Sequence, residues 1–323
     1  MSGGKATVLG NDSRPPTPFP LLPNKQSRCG ARAEAQRERG HPDERQSMNT
    51  TRFNRLGWEV TEEDVSDSRE RLQRYAQPPP QPALLPERKA FRWQHAYSLF
   101  LYLYFLGRTA ELIDAAETAM AAADDKFFGN WRNISPSGND RKQPPDPEYW
   151  HQRWGQDEDF VMASCIASCV GRWDFIARVA KYMSEIRWNK LRVEARPAML
   201  YIELPDGREE SAWRLILAGV IYDLKLDREL EPLVDIVLHG RCVRERTLFR
   251  WLEAVAEKQS DEQVQRLANE YFDYYLKHEV REESITAKVM IEGTLMVNYT
   301  RHCGKRLTVP DSIGERYIQV QPK

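Results

Sequence analysis

The stretch Phe91–Leu106, FRWQHAYSLFLYLYFL, constrains the fold more than any other part of this 323-residue chain. From Ala96 onward its only polar groups are Ser98 and three tyrosine hydroxyls, so a helix formed here has no wide face for water to cover. The stretch is 16 residues long and carries Arg92 and His95 near its start. A membrane span needs about 20 apolar residues. We therefore predict a central core helix that the other helices cover, and no membrane span.

Composition and charge exclude several classes of protein. The chain is 41% apolar and 10% aromatic, which is enough to bury a large core. Its 47 basic and 48 acidic residues give a net charge of -1, so no overall field attracts nucleic acid or an anionic membrane. The 5 cysteines are odd in number and widely spread, which favours reduced thiols over a disulfide framework. Because the start of the chain also lacks the apolar core of a signal peptide, we expect a cytoplasmic protein with no nucleic-acid or membrane partner.

The chain divides into three regions. Residues 1–47 are Pro-rich and then charged, so we expect a disordered tail; one hypothesis is that they extend upstream of a native start at Met48. Residues 48–86 contain a satellite helix capped by Thr61 and a Pro-rich linker, Gln77 to Pro86, with polyproline II character. Residues 87–323 are the helical domain, interrupted by a long polar loop at 125–147.

Apolar residues recur at helical spacing through most of the helical domain. Gly107 ends the central helix and Thr109 caps the next one, which makes an antiparallel hairpin. Ser260 and Gln263 form a capping box, and Gly304 closes the last helix. We find no fixed repeat period. The prediction is therefore all-α: an irregular array of antiparallel helical hairpins, with a solenoid-like stack as the alternative.

Four further segments complete the sequence-based prediction. The last long helix is predicted from Glu282 to Cys303. Met199–Leu204 fits either a strand or a loop. Near the end of the chain, two short apolar runs at 307–309 and 317–320 are expected to dock in extended form on the helical body.

Two pairs of residues have part of the spacing of a metal site. Cys165 and Cys169 lie one helical turn apart and could bind a metal or form a redox pair, but structural zinc usually draws paired cysteines from turns. We interpret both as small buried residues. Asp124 and Asp125 resemble the first acids of the aspartate-rich motif of all-α terpene synthases, but Phe128 stands where that motif repeats its acid. We predict no metal and no cofactor.

Aromatic and acidic side chains cluster directly after the long loop. Aromatic rings beside acids are typical of an interface with a basic protein, whereas an imidazole beside carboxylates is suited to acid–base catalysis. An anionic first turn of a helix, with the tryptophans packed on the core, is the simplest alternative. Partner binding is the functional interpretation that we prefer, and catalysis stays open. The candidate residues are Trp150, His151, Trp154, Asp157, Glu158 and Asp159.

Three stretches in the second half of the chain resemble a known family. They are FVMASCIASCVGRWDFIARVA at 160–180, LFRWLEAVAEKQSDEQVQRLANEYFDYYLKHE at 248–279 and IEGTLMVNYTRHCGKRLTVPDSI at 291–313. Their order resembles the helical immunity proteins encoded beside bacterial polymorphic toxins, specifically the immunity protein 49 family. The resemblance implies a non-enzymatic protein that binds a cognate toxin and blocks its active site, and it transfers no specific binding residues. The alternatives are an all-α enzyme using His151 and Asp157–Asp159, and a generic helical interaction scaffold.

Overall fold

The computed structural model describes residues 60–77, 85–129, 157–188, 208–280 and 288–320, which all belong to one compact unit, Thr50–Lys323. These residues form helices and turns, with no strand among them, so the all-α prediction is confirmed. The helices are α1 Glu62–Ala76, α2 Leu85–Phe105, α3 Leu112–Phe128, α4 Asp157–Cys169, α5 Trp173–Tyr182, α6 Arg208–Ile221, α7 Glu231–His239, α8 Val243–Ala256, α9 Asp261–Tyr274 and α10 Ile291–His302. Two π-helical turns, Met183–Trp188 and Tyr275–Glu279, extend α5 and α9.

Successive helices pack as hairpins: α2 with α3, α4 with α5, α6 with α7, and α8 with α9. The first helices of these hairpins run in one direction. Near their starts, Arg214 of α6 joins Asp157 of α4 to Glu292 of α10; further along, Asn298 of α10 donates to Ser168 of α4 at 2.9 Å. Helices α4, α6, α8 and α10 therefore form a parallel group in which each packs on the next and α10 packs on α4.

The helices α2, α4, α6, α8 and α10 all end in the same way. The second residue after each helix has a left-handed backbone, and the N–H that follows it bonds back across the last turn, as Arg108 does to the Leu103 carbonyl at 2.9 Å. This shared ending turns the chain sharply after each of these helices. The left-handed residues are Gly107, Gly171, Asp223, Lys258 and Gly304, with φ of 70°, 74°, 68°, 58° and 79°.

The most enclosed helix is α4. Every residue from Phe160 to Ser168 is buried, and α4 packs against α3, α5, α6 and α10. In contrast, α2 lies mainly between α1 and α3, and its Tyr97, Tyr102 and Leu106 are only partly buried. The sequence correctly predicts a core helix at Phe91–Leu106 but wrongly makes it central. Small side chains let neighbours approach α4 from more directions than the bulky rings of α2 allow.

The structure confirms several predicted helix boundaries and differs from the prediction at others. Thr61 caps α1: its hydroxyl accepts from the Asp64 N–H at 3.4 Å, and the Asp64 carboxylate accepts from the Thr61 N–H at 2.8 Å. The Ser260 hydroxyl accepts from the Gln263 N–H at 3.3 Å at the start of α9. Thr109, however, begins a 3-10 turn, and α3 starts only at Leu112.

Residues 125–128, predicted as the start of the long loop, belong to α3, which continues to Phe128. Helix α2 already begins at Leu85, inside the predicted linker. The predicted last helix is not continuous, because a turn at 289–290 precedes α10 at Ile291, and its predicted start at Glu282 lies outside the described residues. The tail at 1–47, most of the linker, the loop at 130–147 and the ambiguous segment Met199–Leu204 lie outside the described residues. Within the described ranges, no helix combines the length and the apolar character needed to cross a bilayer.

The end of the chain docks in extended form, as predicted. Ile318 is 1% exposed, and its N–H donates to the Thr294 hydroxyl of α10 at 3.2 Å. The Tyr104 hydroxyl of α2 donates to the Tyr317 carbonyl at 3.0 Å. In turn, the Tyr317 hydroxyl donates to the Asn298 side chain at 2.7 Å. The segment therefore joins α2 to α10 across the ends of the helices.

Candidate functional site

The structure describes three of the six predicted site residues. Asp157, Glu158 and Asp159 are the first three residues of α4, whereas Trp150, His151 and Trp154 lie outside the described residues. Asp157 is 6% exposed, Asp159 is half-buried and Glu158 is exposed. Because successive helix positions point about 100° apart and α4 is enclosed, the three carboxylates cannot share one open face. Only Glu158 is available to a partner from solvent.

Asp159 contacts both helices of the α2–α3 hairpin. Its Oδ1 accepts a hydrogen bond from the indole N–H of Trp93 in α2 at 2.7 Å. Its Oδ2 pairs with the ammonium group of Lys126, near the end of α3, at 2.5 Å. Lys126 is 7% exposed, so this ion pair is largely removed from water. The contacts fix the start of α4 against α2 and α3.

Asp157 forms an ion pair with Arg214 of α6. Arg214 Nη1 lies 3.3 Å from Asp157 Oδ2, and Arg214 Nε lies 3.2 Å from Glu292 Oε1. Nη2 pairs with Glu210, one turn earlier in α6. The Arg214 side chain is only 13% exposed. One guanidinium therefore connects the starts of α4, α6 and α10.

Arg244, at the start of α8, completes the arrangement. Its Nη2 donates to Glu292 Oε2 at 2.7 Å and its Nη1 donates to Glu210 Oε1 at 3.2 Å. Arg244 Nη1 also lies 3.4 Å from Glu245 Oε1, and Arg244 Nε lies 3.1 Å from Glu279 Oε1. Glu292 and Glu210 are thus shared by both arginines. We call this set the arginine cluster: Asp157, Glu210, Arg214, Arg244, Glu245, Glu279 and Glu292.

The arginine cluster follows from the parallel group of helices. Asp157, Glu210, Glu245 and Glu292 each lie in the first turn of a different helix, where the helix dipole favours an anion. Parallel packing brings these four turns together, and carboxylates alone would repel one another. The planar guanidinium can bind more than one carboxylate, which is why two arginines can hold the group. Within these seven groups of the described chain, five are acidic and two are basic, a formal balance of -3.

The local electrostatics reflect this acidity. Glu158 reaches solvent, but the surrounding helices partly desolvate its carboxyl and raise its pKa; the carboxylates of Asp159, Glu210 and Asp157 add to the shift while Arg214 opposes it. Burial also raises the pKa of Glu245, against the opposing effect of Arg244. For Arg244, burial alone would lower the pKa, but the surrounding acids raise it strongly. This end of the bundle therefore favours bound positive charge.

Exposed apolar side chains lie at the same end of the bundle. Residues 238–243 cover the end of α7, the turn and the start of α8, and include Leu238 at 41% exposure and Val243 at 46%. Its backbone is attached to α6, because the Arg241 N–H donates to Glu209 Oε1 at 3.1 Å. Cys242 in this turn is exposed, and its pKa is raised by partial burial and by the neighbouring Glu245 and Glu209. We call residues 238–243 the α7–α8 corner.

The sequence did not indicate the arginine cluster or the α7–α8 corner. Arg244 sits among other charged residues and looks like an ordinary surface position, and Arg214 lies between Trp213 and Leu215 in an apolar run with no motif around it. The available signal was the repeated placement of acids in the first turns of successive helices. That pattern becomes a site only when the helices are known to be parallel.

The residues of the two partial metal motifs are either buried or paired with basic side chains. Cys165 is buried as predicted, burial raises its pKa well above the usual value, and Cys169 is half-buried. Asp125 pairs with Lys89 at 2.5 Å, and Asp124 pairs with Arg178. In the parts of the chain that the structure describes, no group of three or more His, Cys, Asp and Glu side chains could hold a metal ion.

Comparison of the chain with protein-family models, with curated proteins and with solved structures gives no match. The resemblance to the immunity protein 49 family therefore stays a prediction.

Proposed function

We propose that this chain is a non-enzymatic binding protein, an immunity factor that binds and neutralises a cognate bacterial toxin through a basic surface of that toxin. One observation carries the proposal: the arginine cluster holds carboxylates at one end of the bundle, beside exposed apolar side chains. Glu158 is exposed there and the Glu210 side chain is 36% exposed. Leu238 and Val243 supply the apolar surface. The proposal includes a cytoplasmic location, which reduced thiols favour.

Charge and apolar surface have different effects in such an interface. Carboxylates near the rim attract a basic partner from a distance and raise the association rate. Apolar side chains that become buried at the centre slow dissociation. Because the arginine cluster fixes the partly exposed Glu210 before binding, this side chain loses little entropy when the partner arrives. The combination suits a tight and selective complex with a Lys- and Arg-rich protein.

An enzyme is the second candidate, and one observation favours it. Glu158 is exposed and its pKa is raised, which are properties of a general acid. His151, the other residue of that hypothesis, lies outside the described residues. Turnover of a substrate by the purified chain, lost in Glu158→Gln, would favour this alternative over binding.

The test of the proposed function uses the reading frame that adjoins this gene. Its product should stop growth when expressed alone in a sensitive host, and co-expression of this chain should restore growth. The purified pair should also elute as one complex in size-exclusion chromatography. A product that is harmless, or that remains toxic and unbound when the chain is present, would contradict the proposal.

A further inference from the structure

A cavity of about 680 Å³ opens at the other end of the parallel group of helices. Three helices end at it: α6 through Val220 and Asp223, α8 through Ala256 and Lys258, and α10 through Cys303. Only the start of α9 faces it from the opposite direction. The carboxyl end of a helix is the negative end of the helix dipole, even where cap N–H groups bond the last carbonyls, as the Leu224 N–H does to Gly219 at 2.9 Å. Three such ends at one cavity favour a positively charged ligand.

The charged side chains of the cavity reinforce this preference. The cavity has three lysines: the Lys225 ammonium lies 3.2 Å from Asp223, the Lys305 ammonium donates to the Gln259 carbonyl, and Lys258 is the third. The wall also contains three further carboxylates. They belong to Asp227, Glu257 and Asp261, so with Asp223 the lining has four carboxylates against three ammonium groups, a formal balance of -1.

The floor of the cavity is apolar. Val220, Leu224, Leu226 and Tyr299 are each partly buried, pack against the core and line the cavity. Trp173 lies beside Tyr299, with ring centroids 6.4 Å apart. Partly exposed apolar surface with a charged rim marks a ligand or partner site.

Backbone strain is concentrated at the same place. In the described parts of the chain, Asp223 and Lys258 are the non-glycine residues with a left-handed backbone, and both line this cavity. A residue with a Cβ atom is disfavoured in this conformation, and glycine occupies the equivalent positions after α2, α4 and α10. Strained residues of this kind cluster at binding sites.

We propose that this cavity binds a small amphipathic amine. The ammonium group would lie among the helix ends and the carboxylates of Asp227, Glu257 and Asp261, and the alkyl part would cover the floor formed by Val220 and Tyr299. Neutral and anionic molecules of the same shape gain only the apolar contact, so the site discriminates by charge.

Isothermal titration calorimetry with hexylammonium chloride, hexanol and sodium hexanoate tests this assignment on the full chain. We expect the amine to bind at least ten-fold more tightly than either matched compound, with an affinity that falls as salt is added. Equal binding of all three compounds, or no binding of the amine up to about 10 mM, would overturn the assignment.

Variants locate the binding. Asp227→Asn should weaken amine binding about two- to five-fold, and Asp227→Asn combined with Glu257→Gln should weaken it further. Asp235→Asn, an exposed acid on α7 away from the cavity, is the matched control and should leave binding unchanged. Circular dichroism confirms that each variant is folded. If folded Asp227→Asn and the double variant bind the amine like the parent, the cavity is not the site.

Discussion

Glu292 and Arg244 join the starts of α10 and α8 through a 2.7 Å hydrogen bond from Nη2 to Oε2. Glu292 is 4% exposed, and its other oxygen lies 3.2 Å from Arg214. Removing its charge leaves two largely buried guanidiniums with less compensation. We therefore predict that Glu292→Gln lowers the free energy of unfolding by about 2 to 4 kcal/mol.

Urea denaturation of Glu292→Gln measures this loss. The matched control is Glu70→Gln, because the ion pair between Glu70 and Arg74 is exposed, with side-chain exposures of 68% and 61%. That change should cost no more than about 0.5 kcal/mol. A Glu292 variant as stable as the Glu70 variant would show that the arginine cluster does not hold the helices together.

Substitutions at the left-handed residues of two equivalent turns should change stability in opposite directions. Lys258→Gly should stabilise the protein by about 1 kcal/mol, because glycine adopts φ of 58° without the Cβ penalty. Gly171→Ala should destabilise it by about the same amount, because an added Cβ meets no atom within 4 Å and only the backbone cost remains. Thermal or urea unfolding checks both. Destabilisation by Lys258→Gly would mean that its side chain contributes more than the strain costs.

The thiols should differ in reactivity. Cys242 and Cys303 are exposed, whereas Cys165 is 0% exposed and burial raises its pKa well above the usual value. Iodoacetamide on the native protein should label the first two and spare Cys165, since the reactive species is the accessible thiolate. Peptide mass spectrometry gives the labelled positions. Rapid labelling of Cys165 at native conditions would contradict the enclosure of α4.

The burial of Tyr97 should make the protein less stable at high pH. Burial, with Glu158 and Asp159 adding to it, raises the pKa of Tyr97 to about 12 from its ordinary value of 10.0. Between these values the unfolded phenol ionises and the folded one does not, so unfolding releases a proton and stability falls as the pH rises. Tyr97→Phe removes this contribution. Its stability should therefore fall less steeply than that of the parent between pH 10 and pH 12, as urea titrations can show; equal slopes would contradict the burial of this hydroxyl.

Much of the fold could be predicted from the sequence because local signals determine it. Helical periodicity, the Thr61 and Ser260 caps, and the glycines after α2 and α10 all act within a few residues. The centre of the fold was mispredicted because the high apolar content of Phe91–Leu106 does not reveal how closely neighbours approach. The small residues of α4 decide that, and their effect depends on packing between distant segments.

The candidate site was predicted only in part for the same reason. The sequence indicated the acids at 157–159, but it could not show that Asp157 and Asp159 turn inward to Arg214 and Lys126. Those partners come from other helices. A substitution at Asp157 is consequently expected to affect stability first, and Glu158 becomes the acid whose change reports on a partner.

Binding kinetics with the product of the adjoining reading frame test the proposed function most directly. By surface plasmon resonance at several salt concentrations, Glu158→Gln should lower the association rate and weaken its salt dependence. Leu238→Ala should raise the dissociation rate about ten-fold. Glu70→Gln, an exposed acid on α1, should change neither rate. If Glu158→Gln and Leu238→Ala both bind with the rates of the parent, the acidic end of the bundle is not the binding surface and the account is wrong.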